Sequence, residues 1–394
     1  MRVLLLHNRY QVPGGEDTVA RGEAAMLHAA GFIIDLLETN NDGIVSVYSR
    51  AKTALQVTYS FPSRKLVAER IIRFQPDLVH VHNLFPTLTP SVYDACCEAH
   101  IPVVQTLHNF RMMCANGLLF RSGKICTECL GHAFPTPAIR HGCYHGSRIG
   151  TSAVAAMISI HRARGTWKQK VNCFISLTDF ARNLFINELG IQEARIVVKP
   201  NAAPDPGLGD GSGGYALYVG RLSPEKGLQV LLDAANDHEG LGLPLKIAGS
   251  GPLQESVQAA CRPSQVEFLG QQGAASVRML MRKARVLLMP SLWYEGLPMV
   301  VPEAFGAGLP IIASRIGALE TLIKDQHNGL LVEPGCTSAL RMAVRRIASD
   351  RHFEIELRCG ARATYEAEYR PATNLRALVQ IYGQVASDGK ARIH

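Results

Sequence analysis

The sequence lacks any apolar run long enough to cross a membrane. A spanning helix needs about 20 consecutive apolar residues, and the longest weakly polar stretch, Gly150 to Ile160, runs straight into His161, Arg162 and Arg164. The opening segment Met1-Arg2-Val3-Leu4-Leu5-Leu6 is too short for the apolar core of an export signal, and His7-Asn8-Arg9 follow at once. It reads as a buried strand, and the chain is expected to be cytoplasmic. No segment recurs with a period of roughly 20–50 residues, which excludes a solenoid. The 35 glycines and 21 prolines are scattered without a period, which excludes a collagen-like chain. Acidic residues are nearly missing from one stretch: between Val103 and Lys170, Glu128 stands alone against nine Lys and Arg. What is present is ordinary for a folded protein, with 47% hydrophobic and 19% charged residues. That leaves ample apolar surface to bury and excludes wholesale disorder. A chain of 394 residues has room for about two or three domains.

The net charge of +8 is uneven, because residues 1–200 hold 21 bases against 14 acids while the remainder hold 20 against 19. A local excess of this kind suits an anionic partner: nucleic acid, a phosphorylated substrate or an anionic membrane face. Ten cysteines without an export signal read as reduced thiols or metal ligands.

Short β-type runs alternate with helical patterns, which predicts parallel sheets built from βαβ units. Strands are expected at Val3–Leu6, Ile33–Leu37, Leu78–His82, Val103–Leu107, Phe174–Ser176 and Ile196–Lys199. After the Pro-, Gly- and Asp-rich linker 202–214 they resume at Leu217–Gly220, Leu245–Gly249, Val266–Gly270, Val286–Pro290 and Pro310–Ala313. The domains read as 1–200, with a Cys-rich insertion at 109–170 that breaks the alternation, and 201–370, followed by a C-terminal helix in 371–394 that packs back on the first domain.

Three motifs carry chemistry. Gly14-Gly15 follow the first strand and open a helix, a turn that lets backbone approach a ligand at a helix N-terminus. Gly220-Arg221-Leu222-Ser223-Pro224-Glu225-Lys226-Gly227 occupies the equivalent turn of the second half. Its Arg fork and mobile Lys charge suit a diphosphate. Glu295-Gly296-Leu297-Pro298, with Glu303 eight positions after Glu295, sets two carboxylates about a helix N-terminus. A carboxylate accepts hydrogen bonds from a vicinal diol, as on a ribose or a sugar.

These residues, together with Ala248-Gly249-Ser250-Gly251-Pro252, Phe268-Leu269-Gly270 and Pro200-Asn201, resemble glycosyltransferase family four in order and spacing from Gly14 to about Pro334. The resemblance implies a GT-B fold, α/β with two Rossmann-like parallel-sheet domains facing a central cleft. It further implies a retaining hexosyltransferase that moves a sugar from a GDP- or UDP-linked donor to a saccharide or lipid-linked saccharide, as in cell-surface polysaccharide biosynthesis. Residue by residue, Arg221 and Lys226 resemble the diphosphate clamp, Glu303 the ribose ligand and Glu295 a contact to the transferred sugar, near the backbone of Leu297, Pro298, Met299 and Val300, whose N–H groups (Pro298 aside) lie nearby. His108 resembles the histidine beside the reaction centre, Gly14 and Gly15 the loop closing on the phosphates, and Gly220, Gly249, Gly270, Gln271 and Gly296 the backbone around the nucleotide. His80 and His82 read as structural or acceptor-side residues. Pro200-Asn201-Ala202-Ala203 departs from the family, which often has Gly after Asn at the hinge.

No catalytic metal is expected, because Arg221, Lys226 and helix N-termini can meet the charge of the leaving diphosphate. A nucleotide-sugar epimerase of the same fold is the rival within enzymes. A basic nucleic-acid-binding protein is the rival from another class, although 103–170 has no recognition motif, and nucleic acid is not an expected partner. Trp167 among Arg162, Arg164, Lys168 and Lys170 predicts peripheral contact with the anionic inner face of the membrane. Finally, Cys114, Cys126, Cys129 and Cys143 have the spacing C-x11-C-x2-C-x13-C, with a knuckle-like central pair, which predicts a closed structural zinc site. His132, His141 or His145 could replace one thiolate.

Overall fold

The structure, a computed structural model, describes residues 1–11, 14–262 and 264–391, the last three without side chains. It divides into two compact units. Met1–Leu119, Cys126–Lys199 and the chain from Leu375 onward form one, and Phe120–Ile125 with Pro200–Asn374 form the other.

In chain order the strands up to residue 199 are β1 (Arg2–Arg9), β2 (Ile33–Asn40), β3 (Leu78–Asn83), β4 (Val103–Leu107), the two-residue pair β5 (Phe120–Arg121) and β6 (Lys124–Ile125), β7 (Cys173–Ser176) and β8 (Ile196–Val198). The first unit's sheet has the order β2-β1-β3-β4-β7-β8, every pair parallel. Val3 to Leu6 and all six residues of β3 are buried. The run Val3 to Leu6 is the continuous apolar pattern of a strand covered on both faces, whereas β3 buries His80, His82 and Asn83 among its apolar residues. The helix Asp179–Leu189 begins where Thr178 accepts a hydrogen bond from the Ala181 N–H at 3.2 Å, the cap that its sequence position implies. From the other end of the chain, the helix Pro371–Ala391 sends Leu378, Ile381, Tyr382 and Val385 into one core with Val3, Leu5, Leu78 and Val104. Each such burial contributes about 1.5–3 kcal/mol.

The second unit holds β9 (Ala216–Val219), β10 (Leu245–Ala248), β11 (Val266–Gly270), β12 (Val286–Met289), β13 (Ile311–Ser314) and β14 (Gly329–Val332). Its order is β11-β10-β9-β12-β13-β14, again all parallel. The chain reverses direction across the sheet between β9 and β12, and ligands of open α/β sheets bind at the carboxyl ends of the strands beside that point.

The structure adds elements that the pattern does not show. Helices Val47–Gln56 and Phe61–Phe74 lie between β2 and β3, and the first of them buries none of its residues. β14 is a further addition. The 109–170 segment contains β5 and β6 and the helices Thr136–His141, Arg148–Ala163 and Thr166–Lys170. Trp167 is 4% exposed and packs on His161, so it is a core residue and offers no membrane contact. Among the described residues, no helix is long and apolar enough to cross a membrane.

Candidate active site

In the second unit the carboxyl ends of β9, β10 and β11 are stitched into one edge. The Gly220 N–H donates to Ala248 O at 3.1 Å, the Gly249 N–H to Gly270 O at 2.9 Å and the Leu222 N–H to Ser250 O at 2.9 Å. Gly249 has φ +151°, and a Cβ there would lie 1.9 Å from Gly220 O, so only glycine permits this approach. The turn after β9 closes in the same way: at Gly227, φ +69°, a Cβ would meet Pro290 O at 1.8 Å, which seats the turn on the end of β12. The Leu292 N–H then donates to Glu225 O at 2.8 Å.

These contacts bring the two charged motifs together. Lys226 Nζ donates to both carboxylate oxygens of Glu295, at 2.8 and 2.9 Å, and lies 5.1 Å from the Trp293 ring centroid. Ser291 Oγ donates to the same carboxylate at 2.7 Å, and Glu295 is only 3% exposed. Arg221, by contrast, is exposed and makes no side-chain ion pair among the described residues. Gly296, Leu297, Pro298 and Met299 lead into the helix Val300–Gly306, whose first turn carries Glu303. Burial pushes the Glu303 carboxyl up to about 7, with Arg278 partly opposing the rise. Gln271 is exposed beside this edge, 3.4 Å from Ser250 Oγ.

In the first unit the site residues gather at the carboxyl ends of β1, β3 and β4. Asp17, in the first turn of the helix Gly15–Ala29, accepts from the Gly14 N–H at 2.7 Å and binds His7 Nε2 at 2.7 Å. Nothing in the fold demands glycine at position 14. Its φ is −128°, and a Cβ would reach no nearer than 4.0 Å to Asp17 Oδ2.

His108, directly after β4, hydrogen-bonds through Nε2 to His82 Nδ1 at 3.0 Å, with the rings stacked. His82 Nε2 in turn lies 3.5 Å from Glu23 Oε2, and Glu23 Oε1 pairs with Lys199 Nζ at 2.7 Å. Burial alone would raise the Glu23 carboxyl, but the Lys199 ammonium and His82 hold it below the usual carboxylate range. Burial lowers His108 to about 4 and drives His80 and His82 well below the ordinary histidine range, so all three are neutral at pH 7.

Glu23, His80 and His82 place one donor atom each within 4.8 Å of one another. His80 is already engaged, Nδ1 with Tyr382 Oη at 2.6 Å and Nε2 with Thr106 Oγ1 at 2.8 Å, and Lys199 neutralises Glu23 through Oε1, whereas Glu23 Oε2 and His82 Nε2 have no hydrogen-bond partner among the described residues. The occupied His80 and the Lys199 ammonium beside Glu23 suit a charge network better than a cation site. Glu23, Lys199 and Tyr382 are invisible to motif reading, since they stand 176 and 302 residues from their partners.

His108 and His82 border an open pocket whose walls include Phe85, Leu88, Tyr93 and Met157. Arg111 lies at its rim, 4.3 Å from the Phe85 ring centroid.

Comparison with known proteins agrees with this geometry. Residues 13–204 match the family model described as Glycosyltransferase Family 4, and residues 213–350 that of Glycosyl transferases group 1. A phosphatidyl-myo-inositol mannosyltransferase of Mycobacterium leprae is 29% identical over 57% of this chain and 62% of its own length. The chain spans less than two thirds of the curated relatives it matches. Sucrose-phosphate synthase from Thermosynechococcus elongatus superposes with a TM-score of 0.71 at 18% identity, covering 98% of this chain and 100% of that one. Alr3699/HepE of Anabaena, solved in complex with UDP, gives 0.65 at 16% identity with the same coverage of each chain. Two parallel sheets of this order, matched in turn by the two family models, make the chain a member of the family-four glycosyltransferases with the GT-B fold.

Proposed function

We propose that the protein transfers a sugar from a nucleoside-diphosphate sugar to an acceptor hydroxyl with retention of anomeric configuration. The observation that carries this reading is the edge at β9 and β12, where the Lys226–Glu295 pair stands at the switch point of the sheet, with exposed Arg221 on the turn after β9 and half-buried Glu303 in the first turn of the helix that follows Glu295. Arg221 and Lys226 supply preorganised positive charge for the departing diphosphate, and stabilisation of that developing charge is the chief catalytic demand of such a reaction. Glu295 holds Lys226 in place and presents its carboxylate to a sugar hydroxyl, while Glu303 accepts from the ribose diol. The backbone of Gly220, Gly249, Gly270 and Gly296 to Val300, with Gln271, borders the nucleotide.

In the first unit, Gly14 and Gly15 leave room for a phosphate, and neutral His108 hydrogen-bonds the donor sugar. The leaving phosphate oxygen takes the acceptor proton on the face where the new bond forms. A UDP-linked donor is supported by the UDP complex of the Anabaena neighbour, and a saccharide or lipid-linked acceptor by the mannosyltransferase's name and by that of the amylovoran biosynthesis glycosyltransferase AmsK of Erwinia amylovora. The apolar pocket beside His108 is the acceptor side of this reading.

Peripheral membrane contact also belongs to the proposal, on a different footing from Trp167. Val47, Tyr48 and Leu55 are 83%, 79% and 84% exposed on a helix that also carries Arg50 and Lys52, an arrangement that suits an anionic interface. The test is a panel of UDP- and GDP-sugars labelled in the sugar. Label on a second molecule supports transfer, an isomerised donor would mean an epimerase, and salt-sensitive nucleic-acid binding with neither product would remove the enzyme reading.

A further inference from the structure

We propose that the pocket beside His108 takes an acceptor in which a phosphodiester joins a hydrocarbon chain to a hydroxyl-bearing head group, with Arg111 binding the phosphate. The inference rests on the transferase reading and names the class of acceptor that the reading leaves open. Much of the pocket wall is apolar, with Val57, Phe85, Leu88, Met157 and Trp167 contributing to it. Among the described lining residues there is no acid, and burial keeps His82 and His108 neutral. Arg111 is therefore the one permanent charge in that lining, because a guanidinium does not give up its proton in a protein.

The fold holds this guanidinium in place without satisfying it. The Arg111 N–H donates to Asn109 Oδ1 at 3.0 Å, and the Phe110 N–H donates to Gly117 O at 3.1 Å, which closes a tight turn directly after His108. Gly117 has φ +77°, and a Cβ there would lie 3.3 Å from the guanidinium, so glycine leaves the side chain its place. The guanidinium stands 4.3 Å from the ring centroid of Phe85 and 5.6 Å from that of Tyr144, two rings that meet edge to face. Nη1 donates to Ala115 O. That is the one hydrogen bond of the Arg111 side chain among the described residues, where it makes no ion pair and its Nε is buried without a partner. A cation with unfilled donors on an acid-free, largely apolar wall favours an anion beside it.

The three parts of the lining select the class of molecule. A fatty carboxylate ends at its charge and has no hydroxyl to offer. A sugar acid has no apolar body for the wall. A phosphodiester keeps a negative charge while joining two groups, so one molecule can lay its chain on Phe85 and Met157, its phosphate on Arg111 and its hydroxyl at His108. Val57 directly follows the exposed helix Val47–Gln56 and is itself only 3% exposed, so the chain side of the pocket adjoins the surface proposed for membrane contact. Cys129 and Cys143 pack on the cluster that holds Val57, Phe85 and Met157. With Cys114 and Cys126 they are free thiols, and among the described residues no three of these four sulfurs lie within 4.8 Å of one another.

The test is calorimetric titration of the full chain with three probes below their micelle concentrations: octyl phosphoglycerol, the neutral octyl glyceryl ether, and glycerol phosphate. The octyl phosphodiester should bind best. The ether should bind about tenfold more weakly or worse, the usual worth of a hydrogen bond to a charged group. Glycerol phosphate should be weaker still, since each buried methylene is worth about a factor of four. Arg111→Met keeps an apolar stem against Phe85 and removes the charge. It should weaken the phosphodiester by about tenfold or more and leave the ether and nucleoside diphosphates unchanged. If that variant does not fold, salt decides on the native chain: raising it from about 0.05 to about 0.5 M should weaken the phosphodiester and spare the ether. Equal binding of phosphodiester and ether, glycerol phosphate binding as tightly as its octyl ester, or equal loss of both octyl probes in the variant would each overturn the inference. Sugar transfer to a neutral saccharide with no binding of octyl phosphoglycerol would overturn it and leave the proposed function standing. Binding as expected with no transfer from any nucleotide sugar would count against the proposed function alone.

Discussion

Glu303→Gln should weaken donor binding and at the same time stabilise the free protein, with both effects growing as pH rises. Burial lifts this carboxyl from 4.5 to about 7. A group whose pKa is higher in the folded state than in the unfolded chain binds more protons when folded, so stability falls as pH rises between the two values. The contribution is fully present below about 4.5, declines towards 7 and is gone above it. The whole shift corresponds to about 3 kcal/mol. Glutamine keeps the shape of the protonated acid and cannot ionise, so the variant should match wild type near pH 4.5 and exceed it by up to about 3 kcal/mol at pH 8. Binding runs the other way. A ribose diol donates to the carboxylate, so wild-type donor affinity should fall roughly tenfold per unit below pH 7 as the acceptor is lost, and the variant should be weak and flat with pH. Urea unfolding at pH 5 and pH 8, paired with calorimetric titration of nucleoside diphosphates over the same range, measures both. Parallel stability profiles for the two proteins would refute the buried-carboxylate argument. A variant that binds donor as tightly as wild type at pH 8 would refute the ribose assignment.

Other outcomes follow from the same geometry. Lys226→Ala should retain the fold and lower kcat by roughly 10²–10³, the usual cost of one transition-state charge partner; activity within about threefold of wild type would remove Lys226 from the mechanism. Glu23→Gln leaves the Lys199 ammonium buried without a counter-charge, so it should destabilise the chain by about 3–5 kcal/mol in urea, and adding Lys199→Met should recover much of the loss. Tyr48→Ser with Leu55→Ser should reduce sedimentation with anionic vesicles at low salt without changing turnover on a soluble acceptor. Equal sedimentation of wild type with neutral and anionic vesicles would remove the membrane proposal.

Much of the fold is legible in the sequence because parallel strands covered on both faces tend to be continuously apolar, as Val3–Leu6 and Ile311–Ala313 are, while Leu78–His82 keeps the strand pattern with two buried histidines. The second unit's motif is legible for a related reason. Gly227 and Gly249 stand where backbone passes within van der Waals distance of backbone, so their identity is dictated locally. The helix Val47–Gln56 leaves no such trace because nothing on it is buried, and Trp167 misleads because bases adjacent in sequence say nothing of which way a ring packs. The charge network behind His108 is a product of topology alone. The sheet order sets β3 between β1 and β4, which brings His82 beside His108, and the last helix returns Tyr382 to His80.

Burial is the main reason that His108 is neutral, and the network keeps Glu23 from undoing it. Glu23 faces two imidazoles, and without a nearby cation its carboxylate would favour their protonation. Lys199, 2% exposed and 2.7 Å away, cancels that charge and itself disfavours imidazolium. His82 Nε2 and Glu23 Oε2 are 3.5 Å apart without a hydrogen bond; if the carboxylate's charge keeps the His82 proton on Nε2, His108 donates from Nε2 to His82 Nδ1. His108 then keeps its Nδ1 lone pair, an acceptor for a sugar hydroxyl. A buried ion pair is a weak source of stability, so in this reading Glu23 and Lys199 matter chiefly for fixing one tautomer of a residue that neither of them touches directly.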